Sequence, residues 1–146
     1  MTTAKFWDEC RFFRVLPGFV AQWGINGDPN ITKSWDDKVL PDEPTKHSNL
    51  YGTVTFANAG PNTRTTQIFI NYANNTYLDD MGFPPVAEII EGMDVVERLC
   101  GEYSESVSQT ILMDEGNTYL QEYFPDLSYI TNASLNANYT VQKNLR

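Results

Sequence analysis

The first two thirds of the chain consist of short apolar segments separated by clusters of Gly, Pro, Asn and Asp. The segments are rich in β-branched and aromatic residues, and in residues 53–58 these alternate with polar ones, a pattern typical of strands. The pattern predicts strands at residues 12–16, 19–23, 53–58, 67–71 and 86–90. A last strand is predicted around Tyr129, Thr131 and Ala133.

Two later segments have the period of a helix. Met93 and Val96 lie on one face of a predicted helix over residues 93–100, and a second helix is predicted over 117–123. The polar stretch 26–49 contains three prolines and is predicted to be a loop. Many short strands with one or two helices favour a mainly β fold, either an antiparallel barrel or a sandwich, with helical caps.

Length and composition fit one domain. The chain has 146 residues, of which 41% are hydrophobic, which is enough for a substantial core. We predict a single domain over residues 1–146, with its motif-bearing core at 12–135 and a frayed, flexible tail at 136–146. Cys10 and Cys100 are the only cysteines. This count favours reduced thiols over a disulfide framework, and it leaves one disulfide between the two open.

The balance of charge argues against two classes of partner. The formal net charge is −9, from 19 acidic and 10 basic residues. Such a surface repels phosphate backbones and anionic lipid headgroups, so we expect neither a nucleic-acid nor a membrane partner. No apolar run is long enough to span a bilayer, and the first residues lack the apolar stretch of a signal peptide. These features predict a soluble protein and favour the cytoplasm.

The supply of reactive side chains excludes several chemistries. His47 is the only histidine, so we expect neither a histidine-based metal site nor a Ser-His-Asp relay. Cys-x-x-Cys pairs and Gly-rich phosphate loops are absent from the sequence. Adjacent carboxylates such as Asp36 and Asp37 lie in predicted loops, where a solvated surface is the better interpretation. The function should therefore need no metal, no cofactor and little proton transfer.

Three blocks of sequence point to a family. The first is FFRVLPGFVAQ at residues 12–22, the second is FANAGPNT at 56–63, and the third is EGMDVV at 91–96. Their order and spacing resemble those of the cyclophilin-type peptidyl-prolyl cis–trans isomerases. The letters GNTYL at 116–120 resemble the end of one branch of that family.

The resemblance implies an eight-stranded closed barrel capped by two helices, with a substrate groove on its outer face. Only about a dozen residues precede the Arg14 motif, where family members have two strands and a helix. We therefore expect an antiparallel, cyclophilin-like β-barrel that lacks the family's first strands and helix. Because an open barrel exposes strand edges that pair with other chains, we also expect a homodimer or marginal stability.

Carried over by position, the resemblance assigns Arg14 and Gln22 to catalysis, with Gln22 orienting the arginine. It assigns substrate binding to Phe19, Val20, Ala57, Asn58, Ala59, Gln67, Phe69, Tyr77, Leu78 and Phe83. Two of these depart from the family, since Tyr77 replaces its usual Trp and Phe83 replaces its usual His. That Trp contacts cyclosporin in the family, so we expect weak or reduced cyclosporin binding.

The implied reaction suits a single arginine. Rotation about an X–Pro bond faces a barrier of about 18–20 kcal/mol because the amide loses conjugation. In the twisted state the prolyl nitrogen gains a usable lone pair, and a charged donor in a dry groove stabilises that state selectively. Arg14 is the expected donor. The substrates would be proline-containing peptides or proteins, and the activity would assist protein folding.

Two other functions stay open. A non-catalytic proline-peptide-binding or scaffold module of the same fold would bind without isomerising, and the substitutions at Tyr77 and Phe83 favour it. A structural fragment that folds only with a partner would neither bind nor catalyse alone. Catalysis that depends on Arg14 distinguishes the isomerase from both.

Overall fold

A five-stranded antiparallel sheet forms the centre of the computed structural model, which describes residues 1–136. In sheet order the strands are β1-β2-β4-β3-β5. Each lies within two residues of a strand predicted from the sequence, which confirms the antiparallel β architecture. Their bounds are Arg14–Leu16 for β1, Val20–Trp23 for β2, Thr53–Phe56 for β3, Ile68–Asn71 for β4 and Pro85–Glu88 for β5.

The helices of the described residues are short and more numerous than the one or two predicted. The prediction over 117–123 is confirmed by α5, whereas α3 covers only the first half of the helix predicted over 93–100. Neither α2 nor α4 is predicted; α2 has only four residues, which are too few to establish a helical period. The bounds are Pro29–Trp35 for α1, Tyr77–Asp80 for α2, Met93–Val96 for α3, Gln109–Glu115 for α4 and Asn117–Tyr123 for α5.

The predicted loop over 26–49 is wrong in part, since it contains α1. Asp28 caps this helix by accepting a hydrogen bond from the Asn30 backbone N–H at 2.8 Å. Pro29 occupies the first helical turn, where the N–H that proline lacks has no partner within the helix. A proline that the sequence pattern treats as a breaker therefore starts a helix. The remaining residues, 26–28 and 36–49, lie outside helices and strands.

The last predicted strand is reduced to one bridge, between Tyr129 and Arg11. Backbone hydrogen bonds extend this contact on both sides, from Phe12 N–H to Ser128 O at 2.9 Å and from Ile130 N–H to Cys10 O at 3.0 Å. The segment therefore runs antiparallel to the residues just before β1. Of the predicted tail, 137–146 lies outside the described residues.

The first ten residues fill the inner face of the sheet. Phe6 and Cys10 are fully buried there, in one cluster with Val15, Ala21 and Ile70. Burial raises the pKa of the Cys10 thiol to about 12, with the Asp8 carboxylate contributing in the same direction. Both cysteines are free thiols. A segment without strands thus supplies core side chains to the sheet.

A buried polar network joins β3 and β4 to α2. Asn49 donates to the Asp79 carboxylate from its backbone N–H at 2.9 Å and from its side chain at 2.7 Å. Its side-chain oxygen accepts from Thr55 at 2.8 Å and from Asn71 at 3.1 Å. Asn75 continues the network by donating to the side-chain oxygen of Asn71 at 2.8 Å. These bonds fix α2 against the sheet.

None of the helices in residues 1–136 combines the length and the apolar character needed to cross a lipid bilayer.

We predict that Phe6→Ala destabilises the fold by about 3–5 kcal/mol, because it leaves a cavity in the centre of the core. Urea denaturation measures the change. Thr3→Ala, an exposed substitution three residues away, is the control and should change stability by less than about 0.5 kcal/mol. Equal stability of the two variants would show that the first residues do not belong to the core.

We predict that Asp79→Asn destabilises the protein at neutral pH by about 1–3 kcal/mol, through loss of an acceptor for buried donors. Burial acts to raise the pKa of Asp79, but hydrogen bonds from Ser48 and Asn49 together lower it below its ordinary value of 3.8. The ionised carboxylate therefore stabilises the fold above pH 3.8, and this stabilisation is lost as the pH falls through the lowered pKa.

Melting temperatures measured from neutral pH to below pH 3.8 test the direction in which the Asp79 carboxylate changes stability. The difference between wild type and Asp79→Asn should shrink as the medium is acidified. Asp80→Asn, with the same charge change at the exposed neighbouring position, should track the wild type. A difference that grows in acid would contradict the assignment.

Candidate active site

The strand register places the predicted catalytic residues together. Arg14 on β1 lies opposite Gln22 on β2, and Gln22 lies opposite Phe69 on β4. Side chains alternate between the two faces of a strand, so these three share the outer face, while Val15 and Ala21 point into the core. An antiparallel register therefore aligns an arginine, an amide and an aromatic ring across three strands.

A tight turn sets this register. Pro17 and Gly18 connect β1 to β2, and the Phe19 N–H donates to Leu16 O across the turn at 2.9 Å. Gly18 has φ +78°, in the left-handed region where glycine is favoured because it has no Cβ. The Pro-Gly pair thus brings Arg14 and Gln22 into opposition.

A chain of side-chain hydrogen bonds runs from the arginine along the outer face. Arg14 Nη1 donates to Gln22 Oε1 at 3.3 Å, and Gln22 Nε2 donates to Gln67 Oε1 at 2.8 Å. Gln22 thus presents its oxygen to the guanidinium and its amide N–H to Gln67. Gln22 therefore contacts Arg14, the residue that the resemblance predicts it to orient.

Glu105 is a second partner of the arginine, and the sequence does not reveal it. Arg14 Nε donates to Glu105 Oε1 at 2.8 Å and Nη2 donates to the same oxygen at 2.5 Å. On its other side, the guanidinium carbon lies 5.5 Å from the centre of the Phe19 ring. Glu105 follows Arg14 by 91 positions and carries no motif, so no sequence signal could have found it.

Beside Arg14 lies a small cavity of about 160 Å³ with one apolar wall, which we call the socket. Val20, Phe69 and Leu78 form its buried wall, and Phe83 packs its ring against Phe69 at a centroid distance of 6.0 Å. Nine of the predicted site residues line the socket: Arg14, Phe19, Val20, Gln22, Ala57, Asn58, Phe69, Leu78 and Phe83.

The other predicted residues lie next to the socket. Ala59 and Gln67 line an adjoining hollow of about 260 Å³ that shares Gln22, Ala57 and Asn58 with it. Tyr77 is 54% exposed on the rim, where its ring stacks on Phe19 at 6.4 Å. The hollow has further lining residues that the sequence does not identify as site residues: Thr63, Thr65 and Gln109.

The arrangement places a cation beside the apolar wall of the socket. Val20, Phe69 and Leu78 are buried side chains without polar groups, and Arg14 is the only charged residue among those that line the socket. Within residues 1–136 there is no group of three or more His, Cys, Asp or Glu side chains that could hold a metal ion. The chemistry available from these side chains is hydrogen bonding and electrostatic stabilisation.

Comparison with known proteins relates this chain to named isomerases. Peptidyl-prolyl cis-trans isomerase A of Dickeya dadantii is 30% identical over 107 residues, covering 70% of this chain and 56% of the relative. Human peptidyl-prolyl cis-trans isomerase-like 3 is 32% identical over 108 residues, covering 68% of this chain and 63% of the relative. The chain thus spans less than two thirds of the length of these curated relatives.

A solved structure has the same fold. It is a cyclophilin type peptidyl-prolyl cis-trans isomerase of Cryptosporidium parvum, crystallised in the presence of the dipeptide Ala-Pro. The two chains are 22% identical with a TM-score of 0.56, over 71% of this chain and 70% of the other.

A family model described as "Cyclophilin type peptidyl-prolyl cis-trans isomerase/CLD" matches residues 1–114. The match begins with the residues that fill the inner face of the sheet and extends through all five strands into α4. The chain belongs to the cyclophilin-type peptidyl-prolyl cis–trans isomerase family.

Proposed function

We propose that the protein is a peptidyl-prolyl cis–trans isomerase that rotates X–Pro bonds in protein substrates and thereby assists folding. The observation that carries this proposal is the position of Arg14 at the edge of the socket, held by Gln22 and Glu105. The relatives named as isomerases and the neighbour crystallised with Ala-Pro support it.

The socket would bind the proline ring. Its buried side chains, Val20, Phe69 and Leu78, offer apolar contacts and exclude water from one side of the peptide. The backbones of Asn58 and Gln67 would hold the peptide on either side of the proline. The adjoining hollow, reached past Gln22, would accept a neighbouring side chain of the same peptide.

Arg14 would stabilise the twisted amide. A guanidinium has five N–H donors, and Glu105 and Gln22 together engage three of them. The remaining donors, on Nη1 and Nη2, are available to the prolyl nitrogen and its neighbouring carbonyl. Gln22 and Gln67 are neutral amides, so the site contains no group that must gain or lose a proton, and the rate should be flat through neutral pH.

A non-catalytic proline-peptide-binding module is the second candidate. The observation that favours it is the Arg14–Glu105 pair, because a carboxylate beside the guanidinium reduces the positive charge that the prolyl nitrogen experiences. The two candidates predict the same binding to the socket and differ only in rate.

Cyclosporin should bind weakly in either case. The rim position that the resemblance assigns to Trp is held by Tyr77, whose ring already stacks on Phe19. A tyrosine offers a smaller aromatic surface to the drug than a tryptophan does.

We predict that Arg14→Ala lowers the isomerisation rate of a proline test peptide by about 10²–10³, the usual effect of removing one preorganised donor. Two-dimensional exchange NMR measures the rate directly. Arg98→Ala is the matched control, since Arg98 is exposed on α3's C-terminal side, pairs with Asp94 and does not line the socket. Wild-type protein that is folded, binds the peptide and gives no rate above background would establish the non-catalytic module instead.

The homodimer expected from unpaired edges remains a prediction, and the structure suggests which edge to test. β1 and β5 are both edge strands, and no strand within residues 1–136 pairs with the outer side of either; Gly101 lies beside Pro17 and Val15 at the β1 edge. Val86 on β5 is 48% exposed and lines a hollow of about 460 Å³. In sedimentation equilibrium, Val86→Lys should weaken association and Ile111→Lys, on α4, should not. A monomeric wild type at every concentration would refute the dimer.

A further inference from the structure

The socket and the adjoining hollow together form the proposed substrate groove. Glu105 belongs to a segment, residues 101–109, that borders this groove. Glu105 contacts Arg14 beside the socket, and Gln109, at the other end of the segment, lines the adjoining hollow. The segment therefore forms a wall of the groove that the sequence motifs do not include.

The core holds this segment in place. Val107 is buried in a cluster with Phe13 and Leu112, and Ser108 caps α4 by accepting a hydrogen bond from the Ile111 N–H. Tyr103 packs its ring edge-on against Phe124 at 5.2 Å. Tyr103 and Val107 lie two positions before and after Glu105, and both are packed. The backbone at Glu105 is therefore held in place.

Solvent reaches the carboxylate of the pair more easily than the guanidinium. The Glu105 side chain is 58% exposed, whereas that of Arg14 is 28% exposed. Both hydrogen bonds that Arg14 donates to Glu105 end on its Oε1 atom. The second oxygen, Oε2, has no hydrogen-bond partner among the described residues, so it is free to accept a hydrogen bond from a ligand. A peptide that enters the groove meets an available negative group at its rim.

The surrounding charges reinforce this negative rim. The segment contains Glu102 and Glu105 and no lysine or arginine, and the lining of the adjoining hollow is uncharged. The chain as a whole has a formal charge of −9. Arg14, the one cation that lines the socket, is covered along one edge by Glu105 itself.

We propose that Glu105 makes the groove select proline segments with a lysine or arginine next to the proline and disfavour segments with an acidic or phosphorylated residue there. The inference rests on the proposed binding of proline peptides in the socket. The Oε2 atom of Glu105 accepts a hydrogen bond from the cationic side chain, while Oε1 keeps its contact with Arg14. An anionic side chain at the same place is repelled.

The test compares peptides that differ only in the residue beside the proline, with lysine, alanine or glutamate, placed before the proline in one series and after it in another. In wild type, kcat/KM for the lysine peptide should exceed that for the glutamate peptide about three- to tenfold at low ionic strength in at least one series. The ratio should fall towards one as salt is added.

Three variants assign the effect to one carboxylate. Glu105→Gln should bring the lysine-to-glutamate ratio close to one, whereas Glu105→Asp, which keeps the charge on a shorter side chain, should retain most of it. Glu102→Gln makes the same charge change in the same segment at a residue that does not contact Arg14, and it should retain the ratio. A wild-type ratio near one in both series, or a ratio that survives Glu105→Gln, overturns the inference.

Binding separates this inference from the proposed isomerase activity. Dissociation constants for the same peptides, from NMR titration, should show the same preference and the same dependence on Glu105. If binding shows the preference and no peptide is isomerised, the inference stands and the proposed activity falls. If isomerisation is fast but indifferent to charge, the activity stands and the inference falls. If the folded protein neither binds nor isomerises any peptide, both are overturned.

Discussion

The opposition of Arg14, Gln22 and Phe69 across β1, β2 and β4 is the constraint on which the site depends. Because strand side chains alternate between faces, a register shift of one residue in a strand would exchange its groove residues with its core residues. A shift in β1 would send the Arg14 guanidinium towards the fully buried Phe6. The turn at Pro17 and Gly18 and the apolar inner face both oppose such a shift, so the residues that stabilise the fold also assemble the groove.

The inner face of the sheet imposes a second requirement, because apolar side chains on it must be covered. Phe6 and Cys10 meet it from a segment without strands, and Trp7 packs beside them against Trp23 at 5.9 Å. Residues 128–130 pair with the backbone just before β1 and hold this segment against the sheet. The outer face is thereby left for the groove, while the Asn49–Asp79 network holds α2, and with it Leu78, at the socket.

The sequence predicted what depends on local pattern or on motif. All five strands and α5 follow from periodicity and turn residues, and the predicted groove residues converge on one face because the motifs lie on neighbouring strands. It did not predict α1, since Pro29 reads as a breaker until Asp28 is seen to cap the helix. The contact of Glu105 with Arg14 was not predicted for a different reason. It is made across the fold, and an isolated glutamate between serines gives no pattern from which that contact could be inferred.

The Arg14–Glu105 pair bears on the choice between the proposed isomerase and a passive binding site, because a carboxylate reduces the positive charge of the guanidinium beside it. Glu105 is mostly exposed, so water screens its field, and exposed ion pairs are typically worth no more than about 1 kcal/mol. Arg14 is less exposed than Glu105 and lines the socket beside the buried side chains of Val20, Phe69 and Leu78, where a bound peptide would exclude water and a donor would act through a lower dielectric. The carboxylate therefore fixes the guanidinium at little cost to the field inside the socket. Its own field acts mainly at the rim, where it governs which peptides approach. On this balance the pair weakens the case for the proposed isomerase only slightly, and the choice between the two candidates rests on the measured rate.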